Sequence, residues 1–481
     1  PQSDLSAVPS TAQAETARQA GGQTWPACAC PHADRRRLGM GGEWREMPFA
    51  DVIELISGGT PKTSVSEYWG GSIPWLSVSD FNTGFRWVST AEKTITERGL
   101  AESATTILNQ GDIIISARGT VGALAQLAKP MAFNQSCYGV RGKIGIAETD
   151  FIYYALRHAV SQMQQVAHGG VFNTITKDTF KIITTKLPPI KHQCAIAHIL
   201  GTLDDKIELN RRMNQTLEEM ARAIFKSWFV DFDPVRAKAA VRREHPDWSN
   251  AQVSRAACPN LKPEIAELFP DEFENSELGE IPKGWRVGRL GDLVENVIER
   301  IQPSSFTESH PYVPIECIEA RSVCLINWQP GRNAKSSLVR FYKGDIIFGA
   351  MRPYFHKVCI APFDGTTRTT AFVLRPVPSE LAFTAFAVSR DETIDYATAH
   401  SEGSTIPYAK WAGSLQDMKI IIPMQNMREA YHRYKWPFIE RMRTNLSANT
   451  LLAALRDALL PKLISCELRV KDAKKIVGRA L

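Results

Sequence analysis

Basic, amide and aromatic side chains concentrate in the loop-like stretches between the apolar runs of this sequence. In the first half these stretches contain side chains that form specific polar and stacking contacts: Tyr68, Trp69, Arg86, Arg118, Asn134, Gln135 and Lys177. The stretches of the second half contain Arg352, Tyr354, His356, Lys357, Arg368 and Lys410. Loops on a rigid scaffold usually carry recognition residues, so we interpret both sets as contact residues for a ligand. Trp75 and Trp87, in contrast, favour core positions.

The sequence contains none of the short motifs that mark the common catalytic sites. Gly142-Lys143 is followed by Ile144 and lacks the earlier glycine of a P-loop, and no G-x-G-x-x-G follows a strand-like run. H-E-x-x-H and G-x-S-x-G are absent as well. Cys28-x-Cys30-x-His32 has no second ligand pair, which disfavours a metal site. We therefore expect a binding protein that holds no cofactor or metal of its own.

Length and composition set broad limits on what the chain is. Its 481 residues leave room for about three domains, and its formal charge of +6 permits an anionic partner without requiring one. The nine cysteines show no paired spacing, which favours a reducing cytoplasm over a disulfide framework. No apolar run approaches the ~18 residues of a membrane span, so we expect no membrane segment.

The longest helical pattern runs from Pro188 to Phe232 and begins with prolines that suit a first helical turn. Alternating steps of four and three residues trace one heptad seam: Ile196, Leu200, Leu203, Ile207, Asn210, Asn214, Leu217, Ala221, Ile224 and Trp228. This seam predicts a helix of roughly 60 Å that packs against another long helix, rather than an ordinary core helix. Asn210 and Asn214 lie in the middle of the seam and are expected to fix the register.

A second long pattern, between Pro423 and Cys466, supplies the partner helix. Its core positions follow less regular steps: Ile439, Met442, Leu446, Asn449, Leu452, Leu455, Leu459 and Leu463. Pro437 and Pro461 predict that this helix is kinked or divided. The seams leave open whether the two helices run parallel or antiparallel.

The two halves of the chain form an internal repeat. The sequence Gly-Asp-Ile-Ile occurs at 111–114 and again at 344–347. Beyond it a constant offset of 234 residues pairs Arg118 with Arg352 and continues into the long helices. Such an offset predicts that each half is a globular segment followed by a long helix. Because the loop side chains differ between the halves, we expect two different ligands or two parts of one ligand.

These patterns predict seven consecutive regions. They are a disordered extension (1–39), a first globular segment (40–188), a central long helix (189–232), a linker with short helical pieces at most (233–282), a second globular segment (283–422), a distal long helix (423–466) and a tail (467–481). The extension is expected to lie upstream of a more natural start at Met40 or Met47. Within the first globular segment, periodicity predicts helices at 49–56 and 151–166 and strands at 73–78, 112–116, 137–140 and 181–184.

Three long stretches resemble the specificity subunit of type I restriction–modification enzymes: residues 56–81, 187–238 and 277–293. The first of them reads ISGGTPKTSVSEYWGGSIPWLSVSDF. The resemblance extends over about residues 40–466. It implies an α+β fold with two similar α/β target-recognition domains. Two long helices that form an antiparallel coiled coil separate these domains, which are related by a pseudo-two-fold axis.

The resemblance also implies a function. The subunit is expected to be non-catalytic and cytoplasmic and to read a bipartite, asymmetric site in double-stranded DNA, one half with each domain. Two methyltransferase (modification) subunits that use S-adenosylmethionine dock on such a subunit, and restriction (helicase-nuclease) subunits that use ATP and Mg join them. The loop residues named above, together with Lys62, are then expected to contact DNA. Arginine pairs with guanine, Asn or Gln pairs with adenine, and cationic groups bind phosphate.

Two alternative interpretations remain open. The chain could be the specificity module of a type II-like or other fused restriction system, which requires a methyltransferase or nuclease in the chain or encoded beside it. It could also be a coiled-coil scaffold that does not bind DNA, which predicts no change of sequence preference when domains are exchanged.

Overall fold

The computed structural model describes residues 44–166, 174–302, 309–325, 327–334, 337–403 and 405–480. The chain divides into a first unit, made of residues 1–208 and 452–481, and a second unit, made of residues 209–451. The predicted disordered extension at 1–39, with Cys28, Cys30 and His32, lies outside the described residues. No helix in the described ranges combines the length and the apolarity needed to cross a bilayer.

The helices of the described residues have these bounds: α1 Phe49–Val52, α2 Val78–Phe81, α3 Glu97–Ala101, α4 Thr149–Val166, α5 Thr179–Ile182, α6 Ile190–Phe229, α7 Asp233–Glu244, α8 Asn250–Ala257, α9 Pro263–Ala266, α10 Leu381–Val388, α11 Asp391–Ala399, α12 Gln425–Ile464 and α13 Val470–Ala480. The predicted helix at 151–166 is confirmed as α4.

The strands of the first unit are β1 Arg45–Pro48, β2 Ile53–Ser57, β3 Trp69–Leu76, β4 Trp87–Val88, β5 Lys93–Ile95, β6 Ile107–Leu108, β7 Ile113–Ser116, β8 Leu124–Leu127, β9 Met131–Phe133, β10 Cys137–Gly142 and β11 Thr184–Leu187. Those of the second unit are β12 Phe273–Ser276, β13 Gly279–Pro282, β14 Arg286–Arg289, β15 Val294–Asn296, β16 Arg300–Ile301, β17 Pro311–Val313, β18 Gln329–Pro330, β19 Leu338–Phe341, β20 Ile346–Gly349, β21 Val358–Ile360, β22 Gly365–Arg368, β23 Ala371–Pro376 and β24 Lys419–Ile422.

The predicted repeat is visible in the strand order of the sheets. In the first unit one sheet has the order β2-β10-β7-β8-β4, and in the second unit the matching sheet has the order β15-β23-β20-β21. The remaining main sheets match as well, since β5-β3-β9-β6 corresponds to the first four strands of β18-β17-β22-β19-β16. The central pair of each is parallel, β3 with β9 and β17 with β22. One scaffold is therefore built twice.

The two long helices, α6 and α12, are each 40 residues long, about 60 Å of helix. Their predicted core positions include side chains that are buried: Ile196, Leu200, Leu203, Ile207, Ala221, Trp228, Ile439, Met442, Leu452, Leu459 and Leu463. Of the two predicted effects of Pro437 and Pro461, division does not occur, because α12 is continuous from Gln425 to Ile464. Both prolines lie on the exposed face, as do Arg433 and Asp457 four residues earlier. Water can therefore bind the carbonyls that lose their intrahelical partner.

Within the second unit α6 and α12 run antiparallel, as the family resemblance implies. Asn210 Nδ2 donates to Asn449 Oδ1 at 2.8 Å, and Asn445 Nδ2 donates to Asn214 Oδ1 at 2.8 Å. Further along, Tyr431 OH donates to the carbonyl of Ala221 at 2.9 Å. As the residue number in α6 increases, the residue number of its bonded partner in α12 decreases, so the two helices are antiparallel. The asparagines are paired in the helix–helix contact, as the expected role in setting the register requires.

Two local predictions are wrong, and in each place the strand comprises only residues that pair with a distant strand. The helix predicted at 49–56 stops after α1, since residues 53–57 form β2 and pair with β10. The strand predicted at 181–184 is the helix α5 at that point, and β11 begins only at Thr184, where it pairs with β1. In both cases a partner strand more than 80 residues away in sequence decides the local structure.

The segment 233–282 is more ordered than the predicted linker of short helical pieces. The helix α7 has 12 residues and carries Pro234 in its first turn. Lys238 on α7 is fully buried, and its Nζ donates to Asn250 Oδ1 at 2.8 Å and to the carbonyl of Ala266 at 3.1 Å. These bonds compensate the buried ammonium group and tie α7 to the segments after it.

A buried ion pair joins the two long helices within the first unit. Arg456 on α12 and Asp204 on α6 are 5% and 3% exposed, and the guanidinium donates directly to the carboxylate. Tyr154 OH donates to the other oxygen of Asp204 at 2.6 Å. Burial, together with the charge of Asp204, raises the pKa of Tyr154 well above its ordinary value, so this phenol remains a donor.

We expect Arg456→Met to lower the free energy of unfolding by about 3–5 kcal/mol, because it leaves the Asp204 carboxylate buried without its cation. Adding Asp204→Asn should recover part of the loss, since the amide oxygen can still accept from Tyr154. Urea denaturation of the full chain measures both effects. The control is Lys462→Met, which removes an exposed cation from the same helix. An equal loss in the control, or no recovery in the double variant, would contradict the assignment.

Candidate nucleic-acid interface

Four segments of the first unit form one continuous surface at the edge of its sheets. Gly59 N donates to the carbonyl of Phe133 at 3.0 Å, and Ala117 N donates to that of Ser136 at 2.8 Å. Ile175 N then donates to the carbonyl of Ala117 at 2.9 Å. Because these are backbone bonds, the loop side chains can vary without moving the loops. We call these segments the first loop set: 58–62, 117–122, 134–136 and 174–177.

The second unit repeats this arrangement. Ala350 N donates to the carbonyl of Thr370 at 2.9 Å, and Ala409 N donates to that of Ala350 at 2.9 Å. These two bonds are equivalent to the bonds that Ala117 makes with Ser136 and Ile175 in the first unit. Arg352 N adds a bond to the carbonyl of Pro407 at 2.7 Å. We call the corresponding segments the second loop set: 350–357, 368–370 and 405–410.

The first loop set brings together five of the side chains predicted from the sequence. Lys62, Arg118, Gln135 and Lys177 are exposed, and Asn134 is half-buried. Gln135 Oε1 also accepts a bond from the hydroxyl of Thr60. Asn134 has a structural task, because its Oδ1 accepts from Ser136 N at 3.0 Å and shapes the turn.

Three predicted residues of the first unit are engaged in the scaffold instead. Tyr68 is buried, and its OH donates to Glu102 at 2.7 Å. Trp69 packs edge-on against Trp75 with ring centroids 5.2 Å apart. Arg86 is 5% exposed and belongs to none of the four segments of the first loop set. Its Nε donates to Gln126 at 2.6 Å and its Nη2 lies 3.0 Å from Asp150.

The second loop set brings together Arg352, Tyr354, Arg368 and Lys410. Tyr354 is 48% exposed and its neighbour Phe355 is 45% exposed, with ring centroids 4.8 Å apart. The sequence analysis did not single out Phe355, although its position beside Tyr354 in the loop is the signal that could have identified it. Lys410 pairs with Glu402, and Arg368 donates to the hydroxyl of Tyr312.

Two predicted residues in this part of the second unit point into the protein. Lys357 Nζ donates to the carbonyl of Ile315 at 2.9 Å. His356 is 4% exposed, and its Nε2 lies 2.8 Å from the carbonyl of Ser389. Burial lowers the pKa of His356, which favours the neutral ring. A carbonyl only accepts hydrogen bonds, so Nε2 carries the proton.

The equivalent loops reach left-handed backbone conformations with different residues. In the first loop set the positions are Gly119 (φ +79°) and Gly122 (φ +85°), and glycine adopts them without strain. In the second loop set they are Arg352 and His356, both with φ +52°. Non-glycine residues at positive φ cost free energy and occur most often where a site needs their side chains. The loop from Arg352 to His356 is therefore a candidate contact segment.

Arginines on the strands and arginines in the loops differ in their pairing. Arg141 on β10 donates from Nε to Asp112 at 2.7 Å, and Arg375 on β23 does the same to Asp345 at 2.7 Å. The hydrogen-bonded aspartate raises the arginine pKa in each pair. Among the described residues, neither Arg118 nor Arg352 has an ion-pair or side-chain hydrogen-bond partner, and Nε of Arg352 is buried without an acceptor. A loop cation without an internal partner suits an anionic ligand.

Comparison with known proteins gives matches over most of the chain. Residues 41–219 match the family described as the type I restriction modification DNA specificity domain. The type I restriction enzyme MjaIX specificity subunit of Methanocaldococcus jannaschii is 28% identical over 450 residues, which cover 89% of this chain and 94% of the relative. The type I restriction enzyme HindI specificity subunit of Haemophilus influenzae is 25% identical over 344 residues, which cover 63% of this chain and 72% of the relative.

One solved structure with a similar chain is the type I restriction-modification system S subunit from M. genitalium. The two chains are 12% identical in sequence, and the match covers 89% of this chain and 98% of the other, with a TM-score of 0.47.

The pairing difference predicts different effects on stability for two arginines of the first unit. Arg118→Ala should change the free energy of unfolding by no more than about 0.5 kcal/mol, as for other exposed residues without partners. Arg141→Ala should cost about 1–3 kcal/mol, because Asp112 is only 3% exposed and loses its cation. Urea denaturation of the two variants measures the contrast. Equal losses would show that Arg118 has a structural partner.

Proposed function

Because this chain belongs to the family of type I restriction–modification specificity subunits, we propose that it reads a bipartite, asymmetric site in double-stranded DNA. Each loop set reads one half of the site. The observation that carries the proposal is the repeated pair of backbone hydrogen bonds. Those of Ala117 in the first unit and of Ala350 in the second hold equivalent loops that have different side chains. Two loop sets with different side chains suit two different half-sites.

The exposed side chains of the first loop set have the chemistry that base readout requires. Arg118 is suited to the O6 and N7 acceptors of guanine, and Gln135 to the N6 and N7 atoms of adenine. Lys62 and Lys177 flank them and supply contacts to phosphate, which provide affinity without sequence preference. The proposal leaves out Tyr68 and Arg86, whose side chains are buried.

The second loop set reads the other half-site with a different chemistry. Arg352 occupies the position of Arg118, and Tyr354 with Phe355 adds exposed aromatic surface. Lys410 and Arg368 lie on the same loops and contribute cationic contacts. Lys357 and His356 support the loop from inside. The difference between a glycine loop and an aromatic loop is the physical basis for two distinct half-sites.

The partners follow from the family and are also part of the proposal. Two methyltransferase subunits bring S-adenosylmethionine, and restriction subunits bring ATP and Mg. This chain is non-catalytic and supplies the sequence preference of the complex. The cysteines of the described residues, Cys137 among them, are free, which suits the reducing cytoplasm. A scaffold that does not bind DNA would leave the unpaired loop arginines without a role.

We expect Arg118→Ala and Arg352→Ala to relax one base position each, in different half-sites, with a loss of about 1–3 kcal/mol of discrimination. The measurement is selection from a duplex library by the full chain assembled with its methyltransferase subunits. Arg98→Ala serves as a control, because it removes an exposed arginine that pairs with Glu102 outside the loop set. A uniform loss of affinity with a smaller salt dependence would identify a phosphate contact instead. Unchanged affinity and selectivity in both variants would contradict the loop assignment.

We also expect the purified chain to transfer no methyl group from S-adenosylmethionine to its duplex and to cleave no DNA. The physical reason is that the sequence contains no motif for binding that cofactor. Incorporation of labelled methyl groups is measured with and without the methyltransferase subunits. Incorporation by the chain alone would overturn the non-catalytic assignment.

A further inference from the structure

A cluster of charged and polar groups connects the central helix α6 to the scaffold of the second unit. Glu218 on α6 is 8% exposed. Its carboxylate accepts bonds from Val323 N at 2.9 Å and from Ser322 Oγ at 2.9 Å. It also accepts from Nη2 of Arg222, one turn further along α6, at 2.9 Å. Both lone-pair edges of the carboxylate are therefore used, which fixes the direction of the Arg222 side chain.

Arg222 extends this cluster to the end of α10. Its Nη1 donates to the carbonyl of Ser389 at 3.3 Å and lies 3.4 Å from the Ser389 hydroxyl. Its Nη2 reaches the carbonyl of Arg321 at 3.4 Å. The guanidinium also lies 5.7 Å from the ring centroid of Phe386 on α10. Arg222 therefore fixes the position of the residue that follows α10.

The carbonyl of Ser389 accepts a second hydrogen bond, from the second loop set. His356 Nε2 donates to the same oxygen at 2.8 Å. The carbonyl of His356 in turn accepts from Arg321 N at 2.9 Å. His356 is the residue at positive φ that ends the loop beginning at Arg352. A single buried carbonyl thus links the central helix to the base of this loop.

We propose that Arg222 and Glu218 are positioning residues for the second half-site: they hold His356, and through it the loop that carries Arg352, in the conformation that reads DNA. This inference rests on the proposed function and adds a role for residues that do not touch DNA. The loop needs this support because Arg352 and His356 both have φ +52°, a strained backbone conformation. Without hydrogen bonds to the rest of the unit, the loop would relax to a less strained conformation.

The equivalent loop of the first unit is held in another way. The hydroxyl of Ser116 donates to the carbonyl of Thr120 and accepts from Ala123 N at 2.8 Å. Gly122 lies so close to Val160 on α4 that a Cβ at this position would come within 2.6 Å of Cγ1. In the described part of the chain, no hydrogen bond connects this loop to α6. Loss of Arg222 should therefore affect one half-site only.

The test uses Arg222→Met, which keeps the aliphatic stem but removes every donor, and Arg222→Lys, which keeps a charged donor. His356→Leu and His356→Gln form a second pair, since both are non-glycine residues and only the glutamine retains a donor near the position of Nε2. The control is Arg428→Met in the same unit. Arg428 donates to Glu380 at 2.7 Å and 2.9 Å, and this buried ion pair makes no contact with the loop. Site selection is run with the assembled complex, and urea denaturation reports stability.

We expect Arg222→Met and His356→Leu to reduce base discrimination about tenfold in the half-site that Arg352→Ala affects, the scale of one good base contact. The other half-site should keep its preference. Arg222→Lys and His356→Gln should recover part of the loss. Arg428→Met should lower stability at least as much and leave both preferences unchanged.

Three outcomes would overturn the inference: unchanged discrimination in either Arg222→Met or His356→Leu, equal changes in both half-sites, or the same change in the control. If Arg222→Met does not fold, the pair at His356 decides alone. Failure of the proposed function gives a different result, because the unaltered complex would then select no bipartite site at all.

Discussion

The buried polar groups of α6 and α12 impose the constraint on which the other features depend. An apolar seam alone tolerates sliding by a heptad, because leucine packs against leucine in either register. Asn210 and Asn214 do not tolerate it, since each is paired with one asparagine of α12 and would lose that partner after a shift. An unpaired polar group in such a contact costs more than a hydrogen bond contributes. One register of the two helices is therefore selected.

The helix α6 also carries polar side chains that bond to other elements within each unit. In the first unit it places Asp204 beside Arg456 and under Tyr154. In the second unit it brings Glu218 within hydrogen-bond distance of Val323 N and Arg222 within hydrogen-bond distance of the Ser389 carbonyl. The helix is thus more than a connector between the globular segments. It contributes side chains to each unit, and in the second unit these side chains reach the base of a loop.

The parts of the structure that repeat along the sequence could be predicted, and the parts that depend on distant partners could not. Heptad spacing identified both long helices, and the constant offset identified Arg118 and Arg352 as equivalent. Arg86 and His356 were expected at the surface because each stands in a polar, loop-like stretch. Each is instead buried and hydrogen-bonded to a residue that is distant in sequence and that the local sequence does not indicate. Arg86 donates to Gln126, and His356 donates to the carbonyl of Ser389. That the prolines of α12 do not divide the helix could not be predicted either, since only the three-dimensional structure shows that their face is exposed.

Charge pairing separates the residues that maintain this fold from those available to a ligand. The strand arginines Arg141 and Arg375 each have a buried aspartate, and the same pair occurs in both units. Arg118 and Arg352 have no such partner among the described residues, and the backbone bonds of Ala117 and Ala350 hold their loops. Substitutions of Arg118 and Arg352 are therefore expected to be energetically independent of the scaffold, since distant sites without shared partners act additively. Such an arrangement lets these loop side chains change while the fold stays constant. The link from Arg222 to His356 differs from this, because there a scaffold residue and a loop residue share one acceptor.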